Sequence, residues 1–271
     1  MLRRITLGIV LLFTTLSLFS QNNYDRFIKN EAFGYSERLN YDIKYKFIKA
    51  GEASFIVGSK PVLMNNGKNK CYDIRFEVNS LKSLEFLYKV QDIYKTLLDI
   101  DGIYPWFFQQ RIREGNYKKD YKAIFDHTNL KALTSDGDFD IPLHVHDIVS
   151  AFYYIRTMDL GSKKRGDVIK LKNFFDKKTH DLGVKVLGKQ TIETAAGTFN
   201  CVVVEPMIKD GGLFKSDGKI LLWLSDDDRK IPVKVSTRIP IGAIDAELTS
   251  YSGLRGPLTS KINTVKWTIY W

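Results

Sequence analysis

His144 and His146, two of the chain's four histidines, stand one residue apart in IPLHVHDIVSAFYYIRT, and Asp147 follows directly. His-x-His on an extended segment puts two imidazoles on one face, because side chains alternate along a strand. Two imidazoles are half of a zinc-type ligand set. The pair therefore admits a metal-dependent hydrolase centred on His144 and His146. A complete set is hard to assemble locally. Asp147 falls on the opposite face, and His127 or His180 would have to arrive from distant segments. A second reading needs no metal. Ile148, Ala151, Phe152 and Ile155 recur at the spacing of one helix face. Asp147 stands where a carboxylate can accept from the free backbone N–H groups of a first turn, and Gly161 suits termination. The spacing predicts one main helix over about 147–159, with the histidines as its approach.

Other chemistry is thin. There is no G-x-S-x-G elbow, no Walker loop and no dinucleotide glycine pattern; KDGGLFKSDGK is glycine-rich but follows no strand-to-helix logic. Asp226-Asp227-Asp228 lacks the spacing of an EF-hand and reads as a turn. Asp99 and Asp101 form a carboxylate pair of a kind every protein has. No catalytic residue and no cofactor is expected. Aromatic density is the better clue. Phe86, Tyr88, Tyr94, Tyr104, Trp106, Phe107 and Phe108 fall in one short stretch. Such side chains either pack a core or wall an apolar cavity, so these seven are the candidate ligand-binding residues.

The elements that would carry these residues are strands. In SERLNYDIKYKFI, Leu39, Tyr41, Ile43, Tyr45 and Phe47 alternate with polar residues, which marks a half-buried strand. Asn65-Asn66-Gly67 is a hairpin signal before KCYDIRFEV. SLKSLEFLYKV breaks the alternation and suggests a turn or two of helix. Strand patterns resume as far as the tail NTVKWTIYW. About a dozen strands with short connections predict a mainly β fold. Strands follow strands, so the sheet should be large, curved and antiparallel, a barrel or half-barrel around the one helix. No linker interrupts residues 21–271, which read as a single β-rich domain.

The first twenty residues carry Arg3 and Arg4, then the apolar stretch Ile5 to Phe19, then Ser20. That is the pattern of a secretory signal peptide over 1–20. No cysteine lies near the cut, so the expectation is an exported, periplasmic protein that is not a lipoprotein. The net charge is +10, and Arg3 and Arg4 contribute two of it. The basic residues are spread along the chain and read first as a solvated surface; such a surface could also attract anionic headgroups or acidic envelope polymers, and export argues against nucleic acid. Cys71 and Cys201 sit in strand patterns, and spacing does not decide between a disulfide and buried thiols. Hydrophobic content of 44% is that of a folded chain.

ERLNYDIKYKFIKAGEASF (37–55), the run from Asp99 to Asp126 with YPWFFQQRIREG, HDIVSAFYYIR (146–156) and GTFNCVVVEP with LWLSDDDRKIPVKV (197–235) occur in an order that resembles an exported bacterial family, domain of unknown function 3108. The resemblance implies a β-rich periplasmic protein and supplies no catalytic residues. The layout is also similar, at the level of fold, to half-barrel carriers that hold an acyl chain in a curved sheet. The combined expectation is a non-enzymatic envelope protein. It would bind a hydrophobic or amphipathic ligand, or an envelope partner, in its curved sheet, with peripheral membrane contact. The rival expectations are the metal-dependent hydrolase and a module binding acidic envelope polymers.

Overall fold

The computed structural model describes residues 26–208, 220–239 and 242–262. The signal peptide expected over 1–20, the glycine-rich segment 209–219 and the alternating tail 263–271 lie outside them. The first strands are β1 (Arg38–Tyr45), β2 (Ile48–Val57), β3 (Val62–Met64) and β4 (Asn69–Ser80). Then come β5 (Gln91–Asp99), β6 (Pro105–Glu114), β7 (Tyr117–Asp126), β8 (Lys131–Thr134) and β9 (Gly137–Asp140). A helix, α1 (Ile148–Arg156), precedes β10 (Val168–Phe175), β11 (Lys178–Thr194) and β12 (Gly197–Ile208). The last are β13 (Ile220–Ser225), β14 (Pro232–Ile239), β15 (Gly242–Ser252) and β16 (Lys261–Ile262). Between β4 and β5, Lys82–Leu84 forms a single 3₁₀ turn, the local helix suggested by the break in alternation.

Among the described residues all strands join one antiparallel sheet that does not close on itself. Its order is β10-β11-β12-β13-β14-β15-β1-β2-β4-β5-β6-β7-β8-β9, with β16 beside β12 and β3 beside β4. The sixteen strands of the described residues exceed the expected dozen because short ones such as β3, β8, β9 and β16 carry too few residues for a period to show. The path is two meanders joined end to end. The chain runs outward from β1 to the edge strand β9, crosses to the opposite edge β10, and returns until β15 pairs with β1.

The crossing segment contains His144, His146 and α1. It seals the seam between the two edges. His146 donates its N–H to the Lys172 carbonyl at 2.9 Å, and Phe174 donates to the His146 carbonyl at 2.7 Å. The pair His146–Asn173 is a parallel bridge in an otherwise antiparallel sheet. Phe174 of β10 also meets Phe125 of β7 and Phe139 of β9 edge-on or tilted, at 6.0 and 6.1 Å between ring centres. Lys177 and Asp136, at the tips of the two edge hairpins, pair at 3.6 Å.

Alternation was a reliable guide to the buried face of β1. Leu39 and Tyr41 are buried and Ile43 packs against the same cluster. Phe47 departs from it. β1 stops at Tyr45, Lys46 turns with φ 57°, and the Phe47 side chain is 100% exposed. The Asn65-Asn66-Gly67 signal holds: all three residues have positive φ in the turn between β3 and β4. Cys71 and Cys201 are free and buried in different clusters, so no disulfide joins them. Burial pushes both thiols up, that of Cys201 to about 12, which keeps them unreactive.

Candidate functional site

Helix α1 lies in the concave face of the sheet and is fixed at both ends by buried polar groups. At its start Asp147 accepts from the backbone N–H groups of Val149 and Ser150 at 2.7 and 2.9 Å. Ser150 Oγ reciprocates by accepting from the Asp147 N–H at 2.9 Å, which completes a capping box. Thr96 of β5 donates its hydroxyl to the second carboxylate oxygen at 2.6 Å. Burial pushes the Asp147 carboxyl up to about 6 against the pull of these hydrogen bonds. The helix ends at Thr157, three residues before Leu160 and well short of Gly161, which belongs to the following turn.

At the other end Arg156 is wholly buried. Its guanidinium makes two bonds to Glu37, at 2.7 and 2.9 Å, and bonds the carbonyls of Ala32 and Arg229. Burial by itself would lower the Arg156 pKa, but the Glu37 carboxylate raises it, so the guanidinium stays charged. A buried charge with a bidentate partner and carbonyls on its remaining donors meets the conditions for such a pair to be tolerated. The helix cannot slide along the sheet without breaking one of these two anchors.

Between the anchors the helix does not fill the space the sheet encloses. A cavity of about 300 Å³ remains. Ile148, Val149, Phe152 and Ile155 form its helical wall. Phe55, Phe76 and Tyr94 form the wall from β2, β4 and β5, and Leu182, Val204, Leu222 and Val235 the wall from β11 to β14. Phe55 is the pivot of the aromatic side, stacked on Phe76 at 4.3 Å and on Phe152 at 4.9 Å. Few polar groups reach the lining: Tyr41, whose hydroxyl is committed to the Pro232 carbonyl at 2.9 Å, Tyr94 and Thr237. Burial pushes the Tyr94 hydroxyl up to about 12, so it stays a neutral donor.

The seven aromatic candidates are scattered by this geometry. Tyr94 lines the cavity. Phe86 and Tyr88 are exposed on a loop, Tyr104, Trp106 and Phe107 pack in a separate cluster with Cys71, and Phe108 belongs to the main core. The aromatic residues the cavity does use, Phe55, Phe76 and Phe152, come from three segments that look like ordinary core patterns. Nothing local in the sequence distinguishes a cavity wall from a filled core.

The histidines are placed just as plainly. His144 has φ 56°, so the extended alternation that would put both imidazoles on one face is broken there. Its ring lies 4.9 Å from that of Tyr104 and 6.3 Å from that of His127. His146 is buried against Tyr154, at 4.7 Å between ring centres. His127 bonds the Pro105 carbonyl through Nε2 at 2.8 Å. Burial holds His127 down to about 4 and His146 well below the usual histidine range, so both are neutral. Among the described residues no three His, Cys, Asp or Glu side chains gather as a metal ion would need. Asp227 is likewise structural: it accepts from Ser225, Arg229, Lys230 and Ser260 and so ties the β13–β14 turn to the segment before β16.

A beta-barrel-like fold is also found in a solved structure. The chain is similar to a beta-barrel-like protein of domain of unknown function DUF1849 from Brucella abortus, with a TM-score of 0.52 and 10% identity over 82% of this chain and 98% of that one. At that identity the likeness concerns the fold alone. Weaker likenesses are to a candidate lipoprotein from Parabacteroides distasonis (TM-score 0.37, 12% identity, 84% and 100% of the two chains) and to a candidate exported protein with a YmcC-like fold from Bacteroides fragilis (TM-score 0.32, 10% identity, 83% and 98%). No curated protein matches the sequence. Residues 40–249 match the family model of DUF3108, proteins of unknown function, and the chain belongs to that family.

Proposed function

We propose that this is an exported envelope protein that binds an apolar or amphipathic ligand between α1 and the concave face of its sheet, without catalysing a reaction. The observation that carries the reading is the cavity. Protein interiors close-pack, and a void of about 300 Å³ is large for a core that merely failed to fill. It is about twice the apolar cavity of roughly 150 Å³ that takes benzene, and it stands at the low end of small-molecule sites. That size suits one slender acyl-type chain better than a bulky lipid with several chains. The sparse polar lining suits the same ligand, with Thr237 placed to meet a polar end. Export is supported by the pattern of the first twenty residues. No helix among the described residues is long and apolar enough to cross a membrane.

The test uses an environment-sensitive apolar dye, 1-N-phenylnaphthylamine. The protein is expected to bind it with a fluorescence rise, and decanoic acid to displace it. Ala246→Trp, which projects a large side chain from β15 into the cavity, should abolish the signal while the protein stays folded. Dye bound equally well by Ala246→Trp would sink the reading.

A further inference from the structure

The end of the sheet away from Glu37 and Arg156 carries features that the cavity reading leaves unused. Register fixes its members. Tyr45 of β1 pairs with Ile244 of β15, Ile244 with Thr237 of β14, and Thr237 with Ile220 of β13. On the other flank Tyr45 pairs with Ile48, Gly51 with Ser80, Asn79 with Gln91, and Glu114 with Tyr117. Val90 bridges Glu114. The 46–47 turn, the 81–90 loop and the 115–116 turn therefore stand side by side on one rim. Ile220 and Thr237, at the same level, line the cavity, so its wall reaches this rim.

The rim concentrates exposed apolar side chains. Phe47 is 100% exposed, Phe86 81%, Leu87 70% and Ile48 65%. Elsewhere among the described residues, Phe27 at 77% and Leu63 at 58% are exposed singly. Scattered apolar exposure is ordinary, but a cluster on adjacent connections marks a contact surface. Among its described residues the charge is one-sided. Lys46, Lys82 and Lys118 are exposed and form no ion pair with the described residues, and Lys46 lies over the Tyr45 ring at 5.4 Å. The rim's carboxylates are largely spoken for: Asp42 and Glu52 by Lys49, Glu85 by Lys89, and Asp120 by Arg113. Burial and the neighbouring Asp92 raise the pKa of Glu114, which weakens that charge as well. Apolar tips flanked by uncompensated lysines match an interface with hydrocarbon below and phosphate above. They fit a second copy of this chain poorly, since a twofold contact would bring the same lysines together.

We infer that this rim docks on an anionic lipid bilayer. Phe47, Phe86 and Leu87 enter the boundary between headgroups and acyl chains, Lys46, Lys82 and Lys118 meet lipid phosphates, and the cavity faces the membrane. The inference rests on the cavity reading only for what docking would serve; docking itself is tested without it. Cosedimentation is measured with vesicles of phosphatidylethanolamine and phosphatidylglycerol, and with vesicles of phosphatidylcholine alone. The protein is expected to bind the anionic vesicles, and added salt to weaken binding. The double variant Phe47→Asp/Leu87→Asp should lose about tenfold or more in vesicle affinity with its unfolding midpoint unchanged, because both side chains are exposed. The triple variant Lys46→Glu/Lys82→Glu/Lys118→Glu should lose the preference for anionic lipid. Ala246→Trp should bind vesicles normally, which separates failure of docking from failure of the cavity reading. Vesicle binding that is absent, or equal in the wild type and the Phe47→Asp/Leu87→Asp variant, overturns the inference. So does lipid-free self-association that this variant abolishes, which would give the rim to a second copy.

Discussion

The two ends of the sheet are built on opposite principles. At one end the strands and connections are tied by buried polar groups. Glu37 holds Arg156, Asp99 accepts from the backbone N–H groups of Asp101 and Gly102 and from the Trp106 indole, and Asp227 gathers the β13–β14 turn. At the other end the connections expose Phe47, Phe86 and Leu87, the ion pairs lie on the outside, and the cavity lining is mostly apolar, with Tyr41, Tyr94 and Thr237 its polar members. Buried hydrogen bonds to charged groups demand one geometry, whereas apolar contact tolerates several. The polar end therefore holds one arrangement, while the apolar end carries few contacts that require one.

The sharpest way to break this contrast is to remove its strongest anchor. Arg156→Met leaves Glu37 as an uncompensated buried carboxylate and frees the Ala32 and Arg229 carbonyls, so urea unfolding should show a loss of about 3–5 kcal/mol. The double variant Glu37→Leu/Arg156→Met should recover much of that loss, because the desolvated charge is gone from both sides. Acid attacks the same end next most strongly. His127 and His146 are held neutral in the fold, below the histidine value of about 6.5, so the unfolded chain binds more protons as pH falls. Stability is full above about 6.5 and is lost as pH falls toward 4, by at most about 3 kcal/mol for His127. Asp147 has the opposite sign. Its raised value, about 6, gives a contribution that is full below about 3.9 and lost as pH rises through 6. Two histidines outweigh one carboxyl, so the thermal midpoint should fall from pH 6.5 to pH 4, and His127→Gln should flatten that fall.

A smaller effect comes from the helix start. Asp147→Ala removes the cap and the Thr96 partner, and should cost about 1–2 kcal/mol in chemical denaturation. Smallest of all is the open end: Leu87→Asp should change stability by no more than about 0.5 kcal/mol. A large loss there would mean that the exposed rim is part of the fold, and the contrast between the ends would fail.

The sequence made local features of both ends far easier to read than the contacts that join distant segments. The period of two in β1 and the position of Asp147 before a helical stripe are local signals, and both led to the observed element. The Glu37–Arg156 pair joins residues 119 positions apart, and an arginine at the end of a helix pattern looks like any solvated residue. The cavity was hidden for a similar reason. Its walls are single Phe, Leu and Val side chains from many strands, each of a type that also fills cores. Aromatic density pointed toward Phe86 to Phe108, where Tyr94 reaches the cavity and its neighbours do not. Density along the chain does not tell which way a side chain faces once a loop interrupts the strand. His-x-His was ambiguous for a comparable reason: the left-handed turn at His144 leaves no trace in composition.

The order of the strands also sets the order of assembly. β1 and β2 are neighbours in sequence and close a hairpin early, but the other flank of β1 waits for β15, whose residues pair with it across some two hundred positions, from Arg38 to Ser252 and from Tyr45 to Ile244. Such a pairing comes late, because a very long loop must close before it returns any contact. Until then the strand made first presents an unpaired edge to every other chain in the vicinity. A protein of this design needs its last strands in hand before its first is safe, and its hazard in the cell is the interval between the two.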